Sequence, residues 1–421
     1  MKINRIFAVA AVILIVFISL SFLTGCCCTF SNIFRKNNAE TKANSELDKI
    51  AENVDLNLVN INTDFALSIF AELSDRDENS NVFISPLSIS LIMAMAYNGA
   101  ENQTRKEIAE ALQFKNFTDE QLNPAFNTLL LSMENIDDMV ELYTGNSIWL
   151  GNNTDVEKDF EDAVKNYYNA SIYIEDFNNP DTAVKINKWT SDATKGRISN
   201  ITSPNAIKDS VMCFINAIYF KGQWSDKFIP ENTEEEDFFL TDRSTKKVQM
   251  MQNIEKYMYF EGGNFKMLRV PYGRNITAMY VILPDEDINI NEFIRNLNTD
   301  LINEYIADSE EVEVMLKFPK FNIEYESADL AESLKNLGIK DAFIKDRADF
   351  KRISKQLFIS RIDHKAIIEV NEEGTVASAG GSFQGLLAER PVDFIVNKPF
   401  ILFIRDDRTQ NILFAGKILI P

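Results

Sequence analysis

Apolar positions along the chain keep two rhythms, and the shift between them sets the expected elements. The first third has helical spacing. Phe65, Ile69, Phe70 and Leu73 recur on one face after Asn62-Thr63-Asp64, which predicts a helix there. In Ser85-Pro86-Leu87-Ser88-Ile89, Ser85 suits a helix cap and Pro86 the first helical position. That helix is apolar almost all round to Tyr97, so it should be buried, and Asn98-Gly99 ends it. Thr104-Arg105-Lys106-Glu107 has the pattern of a capping box for the next one. Strand spacing then takes over. Residues 142–150 and 211–220 read as long buried strands, and 279–283 and 312–321 as two more. Leu330, Leu334 and Leu337, closed by Gly338, place a helix between strands. Residues 394–396, 400–404 and 412–418 follow, the last two as a hairpin around the polar stretch 405–410. Helices early and long strands mostly later make α+β the expected class.

The strand at 361–371 leads into the most unusual stretch. Ile362, His364, Ala366, Ile368 and Val370 share one face by period two, while Asp363, Lys365 and Glu369 point the other way. From Asn371 to Pro391 the chain is too rich in small residues to pack well and too long for an ordinary hairpin turn. Long loops in compact domains are usually functional or disordered. No repeat or Pro/Gly-rich linker interrupts 60–421, so one large domain is expected over 61–421.

Composition narrows the function. The chain has 421 residues, 45% of them apolar and 11% aromatic, enough for a sizeable core. A net charge of -20 disfavours nucleic acid and anionic lipid as partners. The acidic runs Glu234-Glu235-Glu236 and Asp285-Glu286-Asp287 read as solvated loops, with no clustered His or Cys to suggest a metal, and no cofactor is expected. His364 is the only histidine, and no G-x-S-x-G elbow accompanies it, so a serine hydrolase is not expected. Cys213 lies in an apolar run and reads as a buried, inert thiol. The other three cysteines, Cys26, Cys27 and Cys28, follow a different signal. Lys2 and Arg5 precede an apolar run from Ile6 to Phe22, which ends in Leu23-Thr24-Gly25-Cys26. This resembles the lipobox of prokaryotic lipoproteins. It implies a signal peptide over 1–25, a lipid on Cys26 and a tether over 26–60. The other reading is an uncleaved span, for which ~17 apolar residues is near the lower limit. Both put the remainder outside the cytoplasm, on the cell surface or secreted.

Several segments in order resemble the serpin family: Phe83-Ile84-Ser85-Pro86-Leu87-Ser88, Ile186-Asn187-Lys188-Trp189, Thr194-Lys195-Gly196-Arg197-Ile198 and Asn216-Ala217-Ile218-Tyr219-Phe220-Lys221-Gly222-Gln223-Trp224. Val270-Pro271-Tyr272, Lys317-Phe318-Pro319-Lys320-Phe321, His364-Lys365-Ala366, Glu373-Gly374-Thr375 and Asn397-Lys398-Pro399-Phe400 continue the match to the C-terminal end. The resemblance implies three β-sheets, about eight or nine helices and an exposed reactive-centre loop. It implies that a protease cleaves the loop as substrate, and that the loop then inserts into the central sheet and traps the enzyme. The hinge would be Glu373, Gly374, Thr375, Val376, Ala377, Ser378, Ala379 and Gly380. After insertion Thr375, Ala377, Ala379, Gly381 and Phe383 would face the core, the first four small enough to slip between strands. Gly380-Gly381 departs mildly from the pattern, because glycine weakens a strand by roughly 0.5–1 kcal/mol.

By the family's spacing the cleaved bond is Ala388-Glu389, which suits an elastase-like protease. A slip to Leu387 would suit chymotrypsin-like or subtilisin-like enzymes. Arg390 ranks last because Pro391 follows it. The resemblance assigns Ser88, Asn216 and His364 to a polar cluster that controls sheet opening, and Trp224 to the point where insertion begins. It implies a monomer able to form loop-sheet polymers. Two other readings stand beside inhibition: a non-inhibitory serpin acting as a binding or chaperone-like lipoprotein, and an unrelated lipid-anchored solute-binding protein with two lobes.

Overall fold

The computed structural model describes residues 48–134, 136–327, 329–373 and 390–421. The sequence-based assignments at Cys26 and over 374–389 lie outside the described residues. The chain divides at Asn53 into two units, and in the described part of the first, residues 48–52 are helical.

Helix α1 (Leu56–Arg76) opens the second unit. It begins before Asn62-Thr63-Asp64, because the Asp55 carboxylate accepts from the amide of Asn57 at 2.8 Å and caps the helix there. The expected stripe of Phe65, Ile69, Phe70 and Leu73 is buried. Helix α2 (Pro86–Gly99) follows the expected plan: Ser85 caps it, proline stands at its start, and all its residues are buried. Helix α3 (Asn102–Ala111) departs from it. The helix starts two residues before Thr104, so Thr104 and Glu107 are interior. They serve another segment instead. The Thr104 hydroxyl accepts from the amide of Asp349, and Glu107 accepts from the amides of Lys340 and Asp341. Three further helices matter here: α4 (Asp119–Met133), α5 (Lys158–Tyr168) and α6 (Asp181–Ala193).

Fourteen strands are described. The first seven are β1 (Val82–Ile84), β2 (Val140–Gly151), β3 (Ser171–Glu175), β4 (Met212–Gly222), β5 (Glu234–Phe239), β6 (Thr245–Glu261) and β7 (Phe265–Tyr272). The others are β8 (Thr277–Pro284), β9 (Glu310–Pro319), β10 (Phe321–Ser327), β11 (Arg361–Val370), β12 (Val392–Ile395), β13 (Phe400–Asp406) and β14 (Asn411–Ile418). Two expectations change. Glu234-Glu235-Glu236 lies in β5 rather than in a loop. The single strand expected over 312–321 breaks at Lys320, and its two parts, β9 and β10, enter different sheets.

One sheet has five strands in the order β10-β11-β4-β2-β3. The other strands form a nine-stranded network. The 17-residue β6 pairs with β5 and β9 over most of its length and with β7 at its end. Two of the three sheets implied by the sequence are therefore continuous through one strand. Counting short segments such as Pro204–Ile207, there are 11 helices among the described residues, more than the eight or nine implied. The class is α+β, as expected. The main core fills the space between the sheets and under α1 and α2. A second, smaller cluster lies where α6 crosses the outer face of the five-stranded sheet. Gly145 allows that crossing: a Cβ there would lie 2.7 Å from that of Ala193.

Candidate functional site

The five-stranded sheet has one unusual junction. β4 and β11 lie side by side and parallel, in register from Arg361 opposite Cys213 to Ile368 opposite Phe220. Their partners on the other sides, β2 and β10, are antiparallel to them. The junction is therefore a seam between two halves of the sheet. β11 leads directly to Gly374.

Midway along the seam, on the core face, a chain of hydrogen bonds crosses it. His364 is fully buried on β11. The amide of Ser85 donates to its Nε2 at 3.1 Å, so Nε2 is an acceptor and Nδ1 carries the proton. Nδ1 then donates to Oδ1 of Asn216, across the seam on β4, at 2.6 Å. The Asn216 amide donates in turn to Asn146 Oδ1 at 2.8 Å and to the Gly145 carbonyl, both on β2. The imidazole joins β11 to β4 and to the cap of α2, and Asn216 extends the chain to β2. Burial pushes the His364 pKa down to about 3, so the ring stays neutral. Parting β4 from β11 breaks the His364–Asn216 bond.

The upper end of the seam is closed by charge. Lys221 of β4 reaches Glu369 at 3.3 Å and Glu373 at 3.0 Å. Burial works to lower the Lys221 pKa, but the two carboxylates outweigh it and hold the ammonium above its usual range. Glu372 accepts from Thr233 at 3.0 Å and pairs with Lys320 at 2.8 Å. Burial works to raise its carboxyl, and these partners bring it below the ordinary value. The indole of Trp224 donates to the carbonyl of Asn371 at 2.9 Å and stacks on Tyr272.

Comparison with known proteins decides what this arrangement is. The family model described as "Serpin (serine protease inhibitor)" matches residues 60–421. The chain is a serpin. A leukocyte elastase inhibitor of Xenopus tropicalis is 33% identical over 381 residues, spanning 87% of this chain and 100% of its own length. An uncharacterized serpin-like protein of Methanosarcina acetivorans is 34% identical over 388 residues, spanning 87% of this chain and 88% of that protein. The crystal structure of tengpin, a thermophilic serpin in the native state, superposes with a TM-score of 0.81 at 31% identity, covering 88% of this chain and 95% of that one. Serpins are typically protease inhibitors rather than enzymes.

The structure places the serpin's sequence-derived residues unevenly. Asn216 and His364 meet, and Trp224 stands at the upper end of the seam. Ser88 is buried nearby, but its contact is its own amide donating to Ser85 Oγ at 3.4 Å. Sequence reasoning missed Ser85 and Asn146 as members of the cluster. For Ser85 the contributing group is the backbone amide, which no residue type announces. For Asn146, a polar side chain on a strand that is buried from Asn146 to Leu150 was the available signal. Of the hinge, Glu373 is described; the residues from Gly374 to Gly380, and Leu387, Ala388 and Glu389, lie outside the described residues. Cys213 is buried as expected, and burial pushes its thiol up to about 12.

Proposed function

We propose that this serpin inhibits serine proteases as a suicide substrate. The protease's serine oxygen attacks the carbonyl of Ala388. The bond to the Glu389 nitrogen breaks, that nitrogen takes a proton from the enzyme's general acid, and an ester joins Ala388 to the protease. Residues 374–388 then add to the sheet as a strand between β4 and β11, before water reaches the ester. One observation carries this reading: the parallel seam. A strand turning back from the end of β11 runs antiparallel to β11, and so also to β4. It can pair with both edges at once. The fifteen residues from Gly374 to Ala388 would span ~50 Å as a strand, enough to carry an enzyme along the domain. Strand addition of this kind is a general mode of recognition for which serpins are a type case.

The small Ala388 favours a protease with a shallow specificity pocket, and a relative named as a leukocyte elastase inhibitor agrees with that class. A chymotrypsin-like or subtilisin-like enzyme would use Leu387. Incubation with pancreatic elastase and with subtilisin tests the proposal. It expects a complex that survives denaturant, with cleavage after Ala388 or Leu387. Complete cleavage with both proteases still fully active would overturn it. The N-terminal pattern supports a further part of the reading, a lipid on Cys26 that holds the inhibitor outside the cytoplasm. In the expressing cell, Cys26→Ser should abolish incorporation of labelled fatty acid; unchanged labelling would refute the anchor.

A further inference from the structure

The outer face of the seam, under α6 and the segment that follows it, carries a group that the hydrogen-bonded cluster does not use. Asp363 of β11 is fully buried, although its strand alternation pointed it away from the core. Its near partner among the described residues is Arg361, whose Nε lies 2.6 Å from Oδ1. That approach is an ion pair without hydrogen-bond alignment: among the described residues neither carboxylate oxygen, nor Arg361 Nε, has a hydrogen-bond partner. Ile215, opposite Asp363 in register, belongs to an apolar cluster with Ile198, Ile201 and Ile207. Asp363 is thus a buried carboxyl without a protein hydrogen-bond donor among the described residues, on the β4–β11 boundary.

The charged and titratable groups around it are few. Burial pushes the Asp363 carboxyl up to about 7; Arg361 opposes this, and Asp329 and Glu326 add to it. Cys213 faces it from β4 but does not ionise near neutral pH. On β11, Lys365 is engaged by the Asn200 carbonyl, Glu324 and Glu326. From the covering segment, Lys208 and Asp209 are exposed, as are Asp181, Lys185, Lys188 and Asp192 of α6.

We propose that Asp363 is a pH-dependent latch: neutral, it lets β4 and β11 stay shut; ionised, it favours their separation. An ionised carboxylate gains water only when the covering segment lifts and the strands part. The linkage has a definite sign. A carboxyl whose folded pKa is raised costs the closed sheet nothing below about pH 4. The cost grows as pH rises and is complete above the folded pKa, near 7. Opening should therefore be easier at pH 8 than at pH 5.5. This regulation rests on the insertion reading for its consequence, since an easier seam would speed trapping.

The test uses the uncut full-length chain and no protease, so its failure is distinguishable from failure of inhibition. Amide hydrogen exchange is followed on peptides spanning β4 and β11 at pH 5.5 and pH 8, corrected for intrinsic exchange. Protection in the parent should fall by at least about tenfold, the equivalent of one unit of carboxyl displacement. Asp363→Asn should flatten that dependence. Arg361→Met removes the one opposing cation, so it should match the parent at pH 5.5 and exchange faster than it at pH 8. His364, on the other face, titrates in the opposite sense, so each variant is read against the parent. Parallel pH profiles for parent and Asp363→Asn would overturn the proposal. An Arg361→Met profile no steeper than the parent's would do the same, even if the asparagine variant fails to fold.

Discussion

His364 bridges the seam between β4 and β11 with one side chain. Its ring accepts from the helix cap at Ser85 and donates across the seam to Asn216, which passes the chain on to Asn146. Replacing it with alanine leaves the Ser85 amide and the Asn216 carbonyl buried without partners. That should cost roughly 1–3 kcal/mol. His364→Ala is expected to lower the thermal midpoint and to give polymer ladders on native gels after mild heating; a midpoint at or above the parent's would contradict the role. Ser88→Ala should leave both readouts unchanged, since the Ser88 contact seen here uses its backbone. The buried imidazole also sets a pH response. Its folded pKa is depressed from 6.5 to about 3, so the unfolded chain binds the proton first. Its contribution is complete above about 6.5 and is lost as pH falls towards 3. Thermal midpoints measured from about pH 7 to about pH 4 should fall less steeply in His364→Gln than in the parent.

At the scale of elements, the parallel pairing of β4 with β11 makes an opening seam possible. The register places Arg361 opposite Cys213 on the same face. Arg361→Cys, with Cys26, Cys27 and Cys28 replaced by serine, should therefore close a disulfide across the seam when refolded under oxidising conditions, before Cys213 is buried. The oxidised form is expected to be cleaved without trapping the protease, and reduction should restore the complex. Equal trapping in both forms would mean that the seam need not open. Much of this layout was legible in the sequence. The period-two run at 361–371 located β11, and the apolar runs at 142–150 and 211–220 located β2 and β4 to within two residues. Helix α2 was readable because cap, proline and buried face agree. What escaped was decided by distant partners. Thr104 and Glu107 look like a cap for their own helix but serve backbone amides near Asp349 and Lys340. The run through 312–321 carried one sign of its break that was passed over, Pro319, which cannot donate to a ladder; the Lys320 amide after it donates to the Gln249 carbonyl. Asp363 is buried although it points away from the core face, which strand alternation alone does not announce.

At the scale of the whole molecule, a five-stranded sheet with one internal parallel seam stands beside a nine-stranded network. The seam is held by one neutral hydrogen-bond chain on the core face and by Lys221 with two carboxylates at the top. Asp363 sits on the opposite face as a buried carboxyl with one misaligned partner. On the proposed mechanism, the native state is stable yet gains more by accepting its own loop. That gain can be read directly. The full-length chain is cut once within residues 374–389 by any protease that leaves the rest intact, and its thermal unfolding is compared with that of the uncut chain. Loop insertion predicts a clear upward shift of the midpoint, because the added strand pairs with both β4 and β11. An unchanged or lower midpoint after the cut would contradict insertion.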